Sequence, residues 1–200
     1  MTPVLRRALM ALMVWAALGT MVCRAQLSDK EQLNRALEYF QTEKYHECML
    51  ILARLDNTYT LNPRFRAFLG VCYYYDGNYP QAARYLEATL PQLTPFGPQE
   101  LSVYCWLCAE SLFNEGLWHR AVAYYEQATL QRRGADKADA LYRLGFCYIN
   151  MANWPSAYEY MESALSYYRA DRSRASTARI EQLSHMVPAL RLKANAAATQ

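Results

Sequence analysis

The sequence lacks the residue groupings on which most catalytic and metal sites depend. It has only three histidines, His46, His119 and His185, and they lie far apart along the chain. It has no evident Ser/His/Asp set, no histidine-rich metal motif and no glycine-rich phosphate loop. We therefore expect a protein that is not an enzyme and that uses no metal, no other cofactor and no small-molecule substrate.

The sequence also lacks an apolar run long enough to cross a membrane. Residues 8–22 are uncharged and almost wholly apolar, but these 15 residues fall short of the roughly 20 that a membrane-spanning helix needs. A basic start precedes the run and Ala25 ends the short stretch after it, an order typical of a cleaved secretory signal peptide over residues 1–25. This predicts export to the periplasm or outer cell envelope. An uncleaved anchor, or a lipid attached to Cys23, is the alternative, so membrane contact is expected only through this segment.

An excess of charge of one sign is missing as well. Arg6, Arg7 and Arg24 all lie in the predicted signal peptide, so its removal leaves 18 basic and 18 acidic residues. Nucleic-acid binding needs a clustered basic surface, which this balance does not indicate. We expect no nucleic-acid partner.

The chain does contain a sequence motif that recurs four times. Its clearest copy is Leu69-Gly70-x-x-Tyr73, followed by Gly77-x-Tyr79-x-x-Ala82. An aromatic residue opens the second half of every copy, with steps of 34, 39 and 36 residues between Tyr45, Tyr79, Trp118 and Trp154. Period and pattern together resemble the tetratricopeptide repeat (TPR) family, whose unit is two helices joined by a turn.

The resemblance implies an all-α fold, a right-handed superhelical solenoid of about four helix-turn-helix repeats. One repeat cannot bury its apolar face alone, so neighbours must stack. The repeats are predicted at residues 29–62, 63–94, 102–131 and 138–168, within a mature region that begins at residue 26. Residues 169–200 are predicted to form a capping helix that Pro188 kinks or ends, followed by a frayed basic tail. Residues 91–99 are expected to be an inserted loop.

The repeat register also assigns the cysteines. Five remain after residue 25, an odd number that argues against a closed disulfide framework. All five fall on inward positions of the predicted helices, so core packing accounts for them. The alternative is a thiol redox or metal-binding protein that uses Cys105 and Cys108.

The outer face of each first helix carries the functional hypothesis. In TPR proteins this face lines a concave surface that commonly binds peptides or helices, and here it is rich in aromatic residues. The resemblance thus implies a non-enzymatic interaction adaptor or scaffold with a protein or peptide partner. An apolar or aromatic segment with a basic flank is the expected ligand, because the residues of this face are mainly apolar with a few acidic side chains. The predicted groove residues are Leu37, Phe40, Val71, Tyr74, Tyr75, Trp106, Glu110, Phe113, Tyr142, Phe146 and Ile149.

Two alternatives to groove binding remain open at this stage. The rings can pack sideways against adjacent repeats, or the tail helix can occupy the groove. A purely structural subunit would instead make its contacts through the convex face or through residues 91–99.

Overall fold

The computed structural model describes residues 28–170 and 177–199, and these residues form nine α-helices with no strand among them. The predicted signal peptide lies outside the described residues. The helices are α1 (Asp29–Gln41), α2 (Tyr45–Tyr59), α3 (Pro63–Tyr75), α4 (Tyr79–Thr89), α5 (Pro98–Asn114), α6 (Trp118–Thr129), α7 (Gly134–Asn150), α8 (Trp154–Ala170) and α9 (Thr177–Ala198). No helix within these two ranges has both the length and the apolar composition needed to cross a bilayer.

Each helix packs mainly against its neighbours in sequence. The pairs α1–α2, α3–α4, α5–α6 and α7–α8 form four helix-turn-helix repeats, and each second helix also contacts the first helix of the next repeat. The last helix, α9, packs on α8 and covers the end of the fourth repeat. Such nearest-neighbour packing defines a solenoid. The all-α solenoid with a closing helix is confirmed.

Small side chains let the two helices of a repeat approach closely. A Cβ atom built on Gly70 would lie 2.8 Å from Leu86 Cγ of the partner helix, and one built on Gly145 would lie 2.7 Å from Met161 Cγ. The other two repeats place fully buried alanines, Ala36 and Ala109, at the equivalent position. The opposing helices also present small side chains, all fully buried: Cys48, Ala82, Ala121 and Ala157.

The turn inside every repeat requires one residue in the left-handed conformation. Gly77 (φ 78°) and Gly116 (φ 72°) provide it in the second and third repeats. Glu43 (φ 59°) and Ala152 (φ 55°) adopt it in the first and fourth, although neither is a glycine. In each case the residue directly after the left-handed one donates a hydrogen bond back into the first helix, for example Asn78 N–H to the Tyr73 carbonyl at 2.9 Å. This capping bond stabilises the turn even where the side chain disfavours it.

Three segments differ from the sequence prediction. Helices α5 and α7 begin at Pro98 and Gly134, four residues before the predicted repeat starts at 102 and 138. A 3-10 helix (Leu90–Gln92) and α5 shorten the predicted loop at residues 91–99, because prolines fit the first turns of both. Helix α9 continues through Pro188 to Ala198, so the proline does not end it. Burial of Leu190 and Ala194 holds the later turns in place.

All five cysteines of the described residues are buried in the helix packing. Cys108 is fully buried and Cys105 is 4% exposed, with its thiol donating to Gln127 Oε1 at 3.3 Å. Burial raises the pKa of Cys105 to about 11 and raises that of Cys108 further. A reactive thiol needs a lowered pKa and access to solvent. Cys105 and Cys108 have neither a lowered pKa nor access to solvent.

The close approach at Gly70 gives a stability test. Gly70→Val should lower the free energy of unfolding by about 1–3 kcal/mol, because its Cβ would overlap Leu86. Gly97→Val is the matched control, since the nearest atom to a Cβ there is 3.9 Å away and its φ of −62° suits any residue. Gly97 is the N-cap of α5, where valine is less favourable than glycine, so the control should cost no more than about 1 kcal/mol. Chemical denaturation of both variants measures the difference, and equal losses would show that the two helices are not packed this closely.

The cysteine pair gives a test of reactivity. At neutral pH, maleimide should label Cys105 and Cys108 of the native chain at least about tenfold more slowly than in the unfolded chain, because burial keeps both as inaccessible thiols. Mass spectrometry of timed digests reports each site. Rapid labelling of either thiol in the native chain would support the redox or metal-binding alternative instead.

Candidate functional site

The first helices of successive repeats, together with α9, share one surface, which we call the first-helix face. It carries two pockets. The C-terminal pocket, of about 500 Å³, is lined by Trp106, Phe113, Asp139, Tyr142, Arg143, Phe146 and Arg179. The N-terminal pocket, of about 670 Å³, is lined by Leu37, Gln41, Asn62, Pro63, Arg64, Phe65, Phe68, Gln92 and Phe96.

Four of the predicted groove residues meet in the C-terminal pocket. Trp106 and Phe113 come from α5, while Tyr142 and Phe146 lie one turn apart on α7. The α7 rings meet edge to face with centroids 4.7 Å apart. Both α5 rings contact the fully buried ring of Tyr125, at 5.5 and 6.4 Å. The pocket walls are therefore anchored to the core.

A partly buried ion pair lies at the wall of this pocket and joins the third repeat to the fourth. Arg143 of α7 binds both carboxylate oxygens of Glu110 of α5, with Nε–Oε1 and Nη2–Oε2 distances of 2.8 Å. The Tyr125 hydroxyl donates to Glu110 Oε1 at 2.6 Å. Burial by itself lowers the pKa of Arg143, but the Glu110 carboxylate outweighs it and the pKa is raised. Burial, reinforced by the same carboxylate, raises the pKa of Tyr125, so its hydroxyl stays a donor.

Guanidinium groups lie over three of the four rings of the C-terminal pocket. The Cζ atom of Arg143 is 5.0 Å from the centroid of Phe113. Arg132 lies 4.2 Å from the centroid of the Trp106 ring, and Arg179 of α9 lies 3.9 Å from that of Tyr142. The expectation of an apolar face with acidic touches is therefore wrong here: tertiary packing hides the Glu110 carboxylate and brings arginines to the rings.

The N-terminal pocket is more apolar. Phe68 of α3 stacks on the predicted groove residue Phe40 with centroids 4.4 Å apart. Arg64 lies over Phe96 at 5.0 Å and binds Glu100 with two contacts of 3.1 Å. The inserted segment between the second and third repeats thus supplies one wall, through Phe96. Leu37 is the only predicted groove residue that lines this pocket.

The remaining predicted groove residues do not reach either pocket. Val71 and Glu110 are each 4% exposed, so they offer no surface to a partner. Tyr75 is 55% exposed, but its ring stacks on Tyr45 at 4.1 Å, which is the sideways packing considered above. Tyr74 is half-buried, and burial raises its pKa to about 12. Ile149 is half-buried against the core.

Sequence reasoning missed the arginines and the phenylalanines of the N-terminal pocket. One signal was available: Arg64 and Glu100 are 36 residues apart and Glu110 and Arg143 are 33 apart, so opposite charges recur about one repeat apart. Residues one repeat apart lie side by side on a solenoid. Arg179 and Phe96 lie outside the regular repeats and had no such signal.

The described part of the chain contains no group of three or more histidine, cysteine, aspartate or glutamate side chains placed to hold a metal ion. His46 instead pairs with Asp76 across the first two turns, Nδ1 to Oδ1 at 2.7 Å. This hydrogen bond raises the pKa of His46. The exposed histidine links two repeats.

The buried pair can be tested against an exposed pair of the same type. Glu110→Gln should lower the free energy of unfolding by about 2–3 kcal/mol, because it leaves Arg143 without a compensating charge. The loss stays below that of a fully buried pair, since the Arg143 side chain is 36% exposed. Glu100→Gln breaks the more exposed pair with Arg64 and should cost under about 1 kcal/mol. Urea denaturation ranks the two, and a larger loss for Glu100→Gln would contradict the burial described here.

Comparisons with known proteins agree with this architecture. The family model described as "Tetratricopeptide repeat" matches residues 139–175. A comparison with curated protein sequences finds no match.

Solved structures share the fold at low sequence identity. YrrB, described as a TPR protein with an unusual peptide-binding site, superposes with a TM-score of 0.60 at 17% identity, over 79% of this chain and 75% of YrrB. MamA MSR-1 gives 0.59 at 15% identity, over 84% of this chain and 94% of MamA. The apo form of RapI gives 0.57 at 14% identity, over 84% of this chain but only 64% of RapI. The recurring sequence unit, the matched repeat at residues 139–175 and the shared fold together support the resemblance to the tetratricopeptide-repeat family.

Proposed function

We propose that the protein is a non-enzymatic adaptor of the bacterial cell envelope that binds a segment of a partner protein at the C-terminal pocket. One observation carries the proposal: four aromatic residues chosen from the repeat register line a single pocket of about 500 Å³. The helix crossings do not need these rings, because small residues make them. Aromatic side chains around a concave site are frequent anchors of binding energy.

Two further points support a peptide or protein ligand. The rings are held by Tyr125 and by the Glu110–Arg143 pair, so the pocket is formed before any ligand arrives. YrrB, which is similar in fold, is described as having a peptide-binding site. The envelope location is an expectation from the sequence of residues 1–25 alone.

The proposal predicts which face a partner touches in the cell. A photo-crosslinking phenylalanine analogue at Phe146 should form adducts with a partner protein, because this ring lines the C-terminal pocket. The same analogue at Tyr167, which is 37% exposed on α8, serves as the control on a second helix. Mass spectrometry identifies the partner and reports the mature N-terminus. Adducts from Tyr167 but not Phe146 would place binding on another face.

Affinity for the identified partner tests the rings individually. Trp106→Ala and Phe146→Ala should each weaken binding by about 30-fold, the effect of losing about 2 kcal/mol at an interface anchor. Tyr167→Ala should leave the affinity unchanged. Thermal melting separates lost contact from lost fold, because Trp106 also packs on Tyr125. Unchanged affinity in both pocket variants would overturn the assignment.

A further inference from the structure

Two arginines that stack on rings of the C-terminal pocket have hydrogen-bonding capacity that the protein does not use. Arg179 lies over Tyr142 and Arg132 lies over Trp106. Neither guanidinium forms an ion pair or hydrogen bond within residues 28–170 and 177–199. The Nε atom of Arg132 is buried without any hydrogen-bond partner. Both groups hold unused donors.

The carboxylates of this pocket, unlike the two arginines, already form hydrogen bonds within the protein. Both oxygens of Glu110 already accept hydrogen bonds from Arg143 and Tyr125. Asp139, which lines the pocket, accepts a hydrogen bond from the Tyr168 hydroxyl. The unused polar capacity of the pocket is therefore mainly of the donor type.

Burial makes the unpaired state of Arg132 unfavourable. It lowers the pKa of this guanidinium, and the carboxylates of Asp136 and Asp139 only partly oppose the effect. An unsatisfied buried polar atom costs roughly 1–3 kcal/mol. A carboxylate supplied by a ligand would satisfy the buried donor and compensate the charge.

We propose that the C-terminal pocket binds a partner segment in which acidic side chains flank an aromatic or large aliphatic residue. This inference rests on the proposed function and adds the chemistry of the ligand. A guanidinium presents a planar fork that matches a carboxylate with two parallel hydrogen bonds, and stacking on a ring fixes the orientation of the fork.

Arg132 and Arg179 lie on rings of two different helices, Trp106 of α5 and Tyr142 of α7. Two separated cations fit acidic side chains within a segment better than a single chain terminus. The ring of Phe146 has no guanidinium over it among the described residues, and it would contact the apolar ligand residue that lies between the acidic side chains.

The selection experiment uses random dodecapeptides rather than a known partner. Two N-acetylated libraries are incubated with the purified chain, one ending in an amide and one in a free carboxylate. The amide library should become enriched in Asp and Glu beside Phe, Tyr, Trp or Leu, and binding should change the fluorescence of Trp106.

The best amidated peptide is then titrated against four variants by fluorescence anisotropy. Arg179→Met and Arg132→Met should each weaken binding by about tenfold and flatten its dependence on salt, because each removes one charge contact. Arg84→Met is the matched control, since its guanidinium also stacks on a tyrosine, 4.9 Å from the centroid of Tyr85, but lies outside the pocket. It should bind as the unmodified chain does. Trp106→Ala should lose binding, and thermal melting confirms that each variant is folded.

The outcomes separate this inference from the proposed function. Enrichment of basic or uncharged peptides whose binding still needs Trp106 would overturn the acidic ligand and leave the groove adaptor standing. Enrichment confined to the free-carboxylate library would assign the arginines to a chain terminus and also overturn it. If neither library yields a peptide that depends on Trp106, both the ligand class and the pocket as a binding site are wrong.

Discussion

The close crossing of the two helices in each repeat is the constraint on which the rest of the structure depends. Gly70 and Gly145 leave no room for a Cβ atom against the partner helix, and alanine occupies the same position in the other two repeats. Interiors packed to this density tolerate little extra volume. Because the crossing fixes which side of each first helix faces inward, it also fixes which side forms the first-helix face. The candidate site is a consequence of this packing.

The same constraint accounts for features that suggest chemistry when they are read alone. Cys48 takes the place of the small alanine at a crossing, and Cys105 and Cys108 lie on the buried side of α5. Their thiols are held away from solvent, and burial raises their pKa values in the third repeat. Packing alone explains why these sulfur atoms are where they are. The turns also keep one geometry with different residues. Glu43 and Ala152 adopt the left-handed backbone conformation that Gly77 and Gly116 adopt in the other two repeats.

Charge is organised between repeats rather than within them. Arg64 binds Glu100 and Arg143 binds Glu110, each pair joining consecutive first helices, and a tyrosine hydroxyl donates to each carboxylate. Pairing uses the acidic groups of the face and leaves Arg132 and Arg179 stacked on rings without a hydrogen-bonded carboxylate in the described part of the chain. A nearly neutral chain thus acquires a local surplus of donors at one pocket. Because of these donors, the first-helix face offers hydrogen bonds to an acceptor group of a ligand as well as aromatic contacts.

The sequence by itself determined the helix pairs, the register, the small residues at the crossings and four of the rings in the C-terminal pocket. These follow from a period near 34 residues and from local helical spacing, which a single chain segment carries. Only the tertiary structure decided that Val71 and Glu110 are buried, that Tyr75 packs sideways on Tyr45, and that α9 runs through Pro188. It alone brought Arg179 and Phe96 to the pockets. Register specifies the side of a helix on which a residue lies. It does not specify which side chains from the next repeat, an insertion or a closing helix will meet that residue, because those contacts depend on packing between segments far apart in sequence.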